Sequence, residues 1–225
     1  MKNKKLLFLS ATHGDEGFSI PVVQKLQKKF KFDWQISNPK ALEKGVRFTD
    51  KDLNRSGPGN SKSKYYEERE AKTLITLAKK YEAVIDLHGT VNNTGCFIIL
   101  SDPNWQNIEL AKKLNVENIV LWPSLMPTGP LTQFISNSLE IECGPKNDNK
   151  TAQKLEQILE NYLKGMPKKL NQKFYIVTGK FTKNTKKPIK DFIKFTYQGS
   201  SFYPLLVGRY PGIKCYMMQM LSDTL

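Results

Sequence analysis

Short apolar runs broken by glycine, proline and polar clusters dominate the hydrophobic pattern of the chain. Residues 6–11 form one such run, read as a buried strand, and it ends in Thr12-His13-Gly14. Residues 18–30 carry the spacing of an amphipathic helix, with Pro21 tolerable only in its first turn. Trp34-Gln35-Ile36 gives a second short strand, closed by Asn38-Pro39. Residues 47–63 hold Gly57, Pro58, Gly59, Asn60 and three serines, so they read as a long loop, which is either functional or disordered. A helix is predicted over 63–80, where Leu74, Leu77 and Ala78 share a face. Residues 83–87 are the next strand, again ending in His-Gly. Further strands are predicted at 96–100, 116–121 and 138–143, with helices near 105–114 and over 151–163. This alternation predicts an α/β fold, a mostly parallel or mixed sheet flanked by helices.

After Gly165-Met166-Pro167 the helical periodicity stops. Residues 174–178, 192–197, 205–207 and 213–218 read as short strands with turns between them. The expected organisation is a domain over 1–165 and a small β-rich C-terminal domain over 166–225, without internal repeats.

Composition narrows the class. A chain of 225 residues with 39% hydrophobic and 11% aromatic residues is too apolar to stay disordered and buries a core without staples. Cys96, Cys143 and Cys215 are odd in number and far apart, which excludes a disulfide framework or a cysteine zinc site. The apolar stretch at 6–9 is too short for a signal-peptide core, and no run approaches a membrane span. The expected compartment is cytoplasmic and reducing. A net charge of +14 raises nucleic acid as a partner, but arginine occurs only at positions 47, 55, 69 and 209. Nucleic-acid readers rely on arginine for bidentate contacts. Residues 164–194 contain ten lysines against one acid, Asp191. They read as a solvated surface, with attraction of anionic substrates or polyanions as the alternative. Nucleic acid is therefore not the expected partner, and an oligomer is left open.

Four segments carry candidate chemistry. His13 and Glu16, three apart on a turn, can point the same way, and both are good zinc ligands, although the spacing alone also fits ordinary turn polarity. Asp86-Leu87-His88-Gly89 ends another strand, where ligand sites of open α/β sheets gather. His13 and His88 are the only histidines, and each stands between an apolar run and a glycine. Two histidines and a glutamate with an open fourth position make a catalytic zinc arrangement. Asp86, on the face of His88, is placed to orient a ligand histidine. In Leu139-Glu140-Ile141-Glu142-Cys143, strand alternation puts both glutamates on one face. Glu142, at the strand end, can serve as a general base. Glu140 reads as a deeper partner for a cation or hydroxyl. Arg47 and Arg55, with Asn54, sit on the long loop and can clamp a carboxylate or stabilise an oxyanion; the alternative is a solvated loop.

The ordered series THGDE, NPKA, RFTDKDLNR, IDLHG and IECGP over residues 12–145 resembles the succinylglutamate desuccinylase and aspartoacylase family, which is related to zinc carboxypeptidases. The resemblance implies one zinc ion per chain on His13, Glu16 and His88, with Glu142 activating its water. It also implies that Arg47 polarises the scissile carbonyl and that Asn54 and Arg55 hold the substrate's α-carboxylate. Gly199-Ser200-Ser201-Phe202-Tyr203-Pro204 looks like the family's Tyr-Pro segment and puts Tyr203 in the site, although such a pair in a β segment also reads as packing. Two departures stand out. The C-terminal part is short for the family, and residues 124–138 lack the tyrosine and arginine pair of aspartoacylase side-chain recognition. The function implied is hydrolysis of an N-acyl amino acid amide. A carboxypeptidase-like metallopeptidase is the alternative, and a non-catalytic polyanion-binding protein is a third class.

Overall fold

The structure is a computed structural model that describes residues 5–123, 129–166 and 170–221. Its strands are β1 (Leu6–Ser10), β2 (Asp33–Ile36), β3 (Ala83–Gly89), β4 (Gly95–Ser101), β5 (Asn118–Trp122), β6 (Ser138–Gly144), β7 (Lys173–Phe181), β8 (Phe195–Tyr197), β9 (Ser200–Leu205) and β10 (Cys215–Met220). The helices are α1 (Ile20–Gln27), α2 (Pro39–Lys44), α3 (Tyr66–Ala78), α4 (Trp105–Lys113) and α5 (Asn149–Leu163). Pro21 sits in the first turn of α1, where its missing N–H has no intrahelical partner to lose. Helix α2 departs from the sequence expectation, in which Asn38-Pro39 is only the break that closes a strand. Asn38 in fact caps it, accepting from the Ala41 amide at 3.2 Å, and Gly45 ends it at φ 61°. Proline just inside the start and glycine just past the end were the legible signal.

The strands form one mixed sheet in the order β2-β1-β3-β6-β4-β5-β7-β10-β9-β8. Strands β2, β1, β3 and β6 run parallel, β4 is antiparallel to β6, and β4, β5 and β7 are parallel again. Every residue of β1 and β3 is buried, as expected of strands covered on both faces. One face packs Phe8, Ile85, Leu139 and Ile141 against α1, α4 and α5, through Val23, Leu110 and Leu155. On the other, Leu7, Leu9 and Val84 meet Leu74 and Ile75 of α3. Fully burying each such side chain contributes about 1.5–3 kcal/mol.

The residues after 165 extend the same sheet. Strand β7 pairs in parallel with β5, and β10, β9 and β8 follow as an antiparallel region. The expected boundary at 165/166 thus falls between α5 and a strand hydrogen-bonded to the N-terminal part. Among the described residues, no helix is long and apolar enough to cross a membrane.

Candidate active site

Because β1, β3 and β6 are parallel neighbours, their carboxyl ends meet at one edge of the sheet. At the end of β1, Ala11 takes φ 55° and turns the chain into Thr12-His13-Gly14. Gly14 is packed so closely on α2 that a Cβ there would overlap the Ala41 carbonyl, and its amide donates to Arg47 O at 3.1 Å. The Glu16 amide closes the turn on His13 O at 3.0 Å, which brings both side chains to the same side. His88 arrives at the end of β3, directly opposite Glu142 in the β3–β6 register.

His13, Glu16 and His88 are all buried and converge. His13 Nδ1 lies 3.1 Å from Glu16 Oε1, His88 Nδ1 lies 3.2 Å from Glu16 Oε2, and the two Nδ1 atoms are 3.3 Å apart. Donors on a tetrahedral ion with bonds of about 2.0–2.2 Å stand roughly 3.3–3.6 Å apart, so this set fits a zinc-sized cation with little movement. Burial opposes charge on the histidines, yet Glu16 and Asp52 hold the pKa of His13 above the usual imidazole value. Asp86, Glu16 and Glu140 hold that of His88 well above it. Burial likewise opposes the Glu16 carboxylate, but the two histidines keep its pKa well below the normal range. The cluster is a concentrated set of exchangeable protons that a cation would displace.

Each member is oriented from behind. His88 Nε2 is 3.0 Å from Asp86 Oδ2, an ion-pair contact without hydrogen-bond alignment, and the other Asp86 oxygen accepts from Thr12 Oγ1 at 2.8 Å. His13 Nε2 lies 3.1 Å from Asp52 Oδ1. Arg47 grips Asp52 Oδ2 through Nε at 3.2 Å and Nη2 at 3.0 Å. Burial works against the Asp52 carboxylate, but His13, Arg47 and Arg55 keep it ionised. Asp52 therefore ties the His13 turn to the arginine loop.

Two buried polar atoms have no hydrogen-bond partner among the described residues and border the cavity: Arg47 Nη1 and Glu142 Oε2. Burial, with Glu16 and Glu140 adding to it against His88, pushes Glu142 up to about 7. That value suits a group that must both take and return a proton near neutrality. Glu140, one pleat deeper, accepts from Thr132 Oγ1 at 2.7 Å, the hydroxyl partner expected for it.

The cavity holds about 390 Å³ and is lined by His13, Glu16, Arg47, Asn54, Arg55 and Glu142 from the sequence-derived set. Asn54 is buried, with Oδ1 accepting from Leu131 N at 3.2 Å. Arg55 donates to Asn54 O at 2.5 Å and to Tyr210 Oη at 3.4 Å. Tyr203 is not brought in. Its ring packs on Tyr175 at 5.3 Å, in the cluster around Phe97, because β9 turns that face toward the core. Tyr210 and Tyr216 line the cavity instead, with Trp122, Lys180, Leu206 and Arg209. None of these six carries a motif in the sequence beyond its place in a strand or in the charge count; the scarcity of arginine is the one hint at Arg209. Part of the segment lacking the tyrosine and arginine pair, residues 124–128, lies outside the described residues.

A family model described as the succinylglutamate desuccinylase/aspartoacylase catalytic domain matches residues 2–166. The chain belongs to this family. A probable aspartoacylase of Prochlorococcus marinus subsp. pastoris is 27% identical over 226 residues, covering 91% of this chain and 72% of that protein. Rat aspartoacylase is 33% identical over 119 residues, 44% of this chain and 38% of that protein. The crystal structure of murine aminoacylase 3 shares the fold at a TM-score of 0.75 and 17% identity, covering 97% of this chain and 95% of that one. A succinylglutamate desuccinylase from Chromobacterium violaceum does so at a TM-score of 0.69 and 16% identity, over 98% and 86%. The fold class and the family read from the five motifs are both borne out, and with them a deacylase-family enzyme.

Proposed function

We propose that this family member is a zinc-dependent amidohydrolase that cleaves the amide bond of an N-acyl amino acid, with one zinc ion on His13, Glu16 and His88. The observation that carries this reading is the convergence of those three donors beside two atoms without a hydrogen bond, Glu142 Oε2 and Arg47 Nη1, at one cavity. The ion supplies Lewis acidity there. Glu142 accepts a proton from the attacking water as its oxygen adds to the carbonyl carbon. The same carboxyl returns the proton to the amide nitrogen as the C–N bond breaks and the amine leaves. Arg47 donates to the carbonyl oxygen as negative charge develops. Arg55 and Asn54 hold the α-carboxylate, and Asp52 keeps Arg47 and His13 in place.

A cavity of about 390 Å³ walled by Trp122, Tyr210 and Tyr216 suits a small molecule and favours an acyl amino acid over the peptide of the carboxypeptidase-like reading. Cys96, Cys143 and Cys215 are free thiols, which supports a reducing, cytoplasmic setting. The test is amine release by zinc-loaded protein across a panel of N-acetyl amino acids, with dipeptides of the same C-terminal residue beside them. Release from the acyl amino acids is expected. Faster release from the dipeptides would establish the peptidase reading, and release from neither would sink the amidohydrolase.

A further inference from the structure

Arg209 belongs to the turn between β9 and β10, which reaches over the cavity. The turn is closed by Arg209 N donating to Leu206 O at 3.2 Å and by Gly208 N donating to Lys214 O at 2.8 Å. Leu206, Arg209 and Tyr210 from this turn all face the cavity. Arg209 Nη2 stands 3.5 Å from Glu16 Oε1, and Arg47 Nη1 stands 3.5 Å from the same oxygen. One arginine comes from the N-terminal loop and the other from the C-terminal turn, and both are aimed at one atom of the metal-binding set.

The two guanidinium groups differ in what else holds them. Arg47 keeps two hydrogen bonds to Asp52 whatever becomes of Glu16. Among the described residues, Arg209 has no carboxylate within ion-pair distance other than Glu16. A cation held by His13, Glu16 and His88 takes up the Glu16 charge. Arg209, only 18% exposed, is then a guanidinium with no anion of its own, set beside the reacting position. A largely enclosed guanidinium without a counter-charge is costly, so an anionic oxygen entering the cavity is its natural partner.

We propose that Arg209 is a second substrate-contacting cation that, with Arg47, brackets the carbonyl oxygen of the scissile amide and then the carboxylate of the released acyl group. This rests on the amidohydrolase reading, and the experiment separates the two. Arg209→Met and Arg209→Lys are compared with wild type in zinc affinity by chelator competition, in acetate binding to the zinc-loaded protein by calorimetry, and in turnover. Arg209→Met should bind zinc as tightly as wild type or up to roughly tenfold more tightly, because a cation competing for Glu16 is gone. It should bind acetate about tenfold more weakly and lose about 10²–10³ in kcat/KM, with Arg209→Lys between. Acetate affinity and turnover equal to wild type would overturn the proposal. So would zinc affinity falling in step with activity, since the arginine would then serve only to hold Glu16 and the turn. If wild type itself hydrolyses nothing, the amidohydrolase reading fails, while the acetate measurement still decides the role of Arg209.

Discussion

Glu67→Gln isolates the anchoring of the loop that carries Arg47, Asp52, Asn54 and Arg55. Glu67 lies in the first turn of α3 and is fully buried. One carboxylate oxygen accepts from Thr49 N and Thr49 Oγ1, both at 2.7 Å, and from Asn38 Nδ2 at 3.4 Å. The other accepts from the amides of Asp50 and Lys51, both at 3.1 Å. Burial would raise its pKa, but the Thr49 hydroxyl and these amides outweigh it and hold the carboxyl below the usual range. Glutamine has the same shape but only one acceptor oxygen, so its NH₂ must face two or more donors whichever way it turns. Two charge-assisted bonds are lost at about 1.5–3 kcal/mol each, and loop relaxation places the net near the lower end, about 3 kcal/mol. For a chain of this size that is a fall in Tm of about 6–12 °C. Thermal unfolding of metal-free protein at pH 7, followed by circular dichroism, measures it. The folded pKa is depressed, so the stabilisation is present above the unfolded value of about 4.3 and is lost as pH falls through the folded value. The two melting curves should therefore converge in acid. A Tm difference under about 2 °C at pH 7, or a gap unchanged down to pH 3, would refute the ionised anchor.

Other expectations follow from the same geometry. Glu142→Gln should lower kcat by about 10²–10⁴ while zinc stoichiometry stays at one and Tm does not fall, because the carboxylate it replaces has a buried oxygen, Oε2, without a hydrogen-bond partner; turnover and metal analysis on the same sample check this. The raised histidine pKa values stabilise metal-free protein below the unfolded imidazole value of about 6.5, and that contribution fades as pH rises through the folded values. The Tm gain on adding zinc should correspondingly grow with pH, and calorimetry in buffers of different ionisation heat should show protons released on binding. Gly14→Ala drives a methyl group into the Ala41 carbonyl and should cost about 1–3 kcal/mol together with a weaker zinc site. Unchanged chelator competition in that variant would show that the His13 turn is not held by α2.

Much of the site was legible because its key residues sit at strand ends marked by local pattern. The apolar run before His13, the one before His88 and the alternation around Glu142 each locate a side chain at a sheet edge without any long-range information. Helix α2 went unread although Asn38, Pro39 and Gly45 spelled its limits, because six residues are too few to show a hydrophobic period. Glu67 went unread for a different reason. A glutamate in the first turn of a helix is ordinary in sequence, and its five donors lie 16 to 29 positions away.

The sequence by itself determined the family, through the order of its motifs, and the strands β1, β3 and β6, through their apolar runs; local spacing marked His13, Glu16, His88 and Glu142 as candidates. Only the tertiary structure decided that β1, β3 and β6 are neighbours, which turns three separate strand ends into one cluster. It alone packed the half-buried Tyr203 against the cluster around Phe97 and placed Arg209, Tyr210 and Tyr216 over the cavity. A turn between two antiparallel strands can reach either face or either end of a sheet, and the hydrogen-bonded register that settles which is a long-range property of the folded chain.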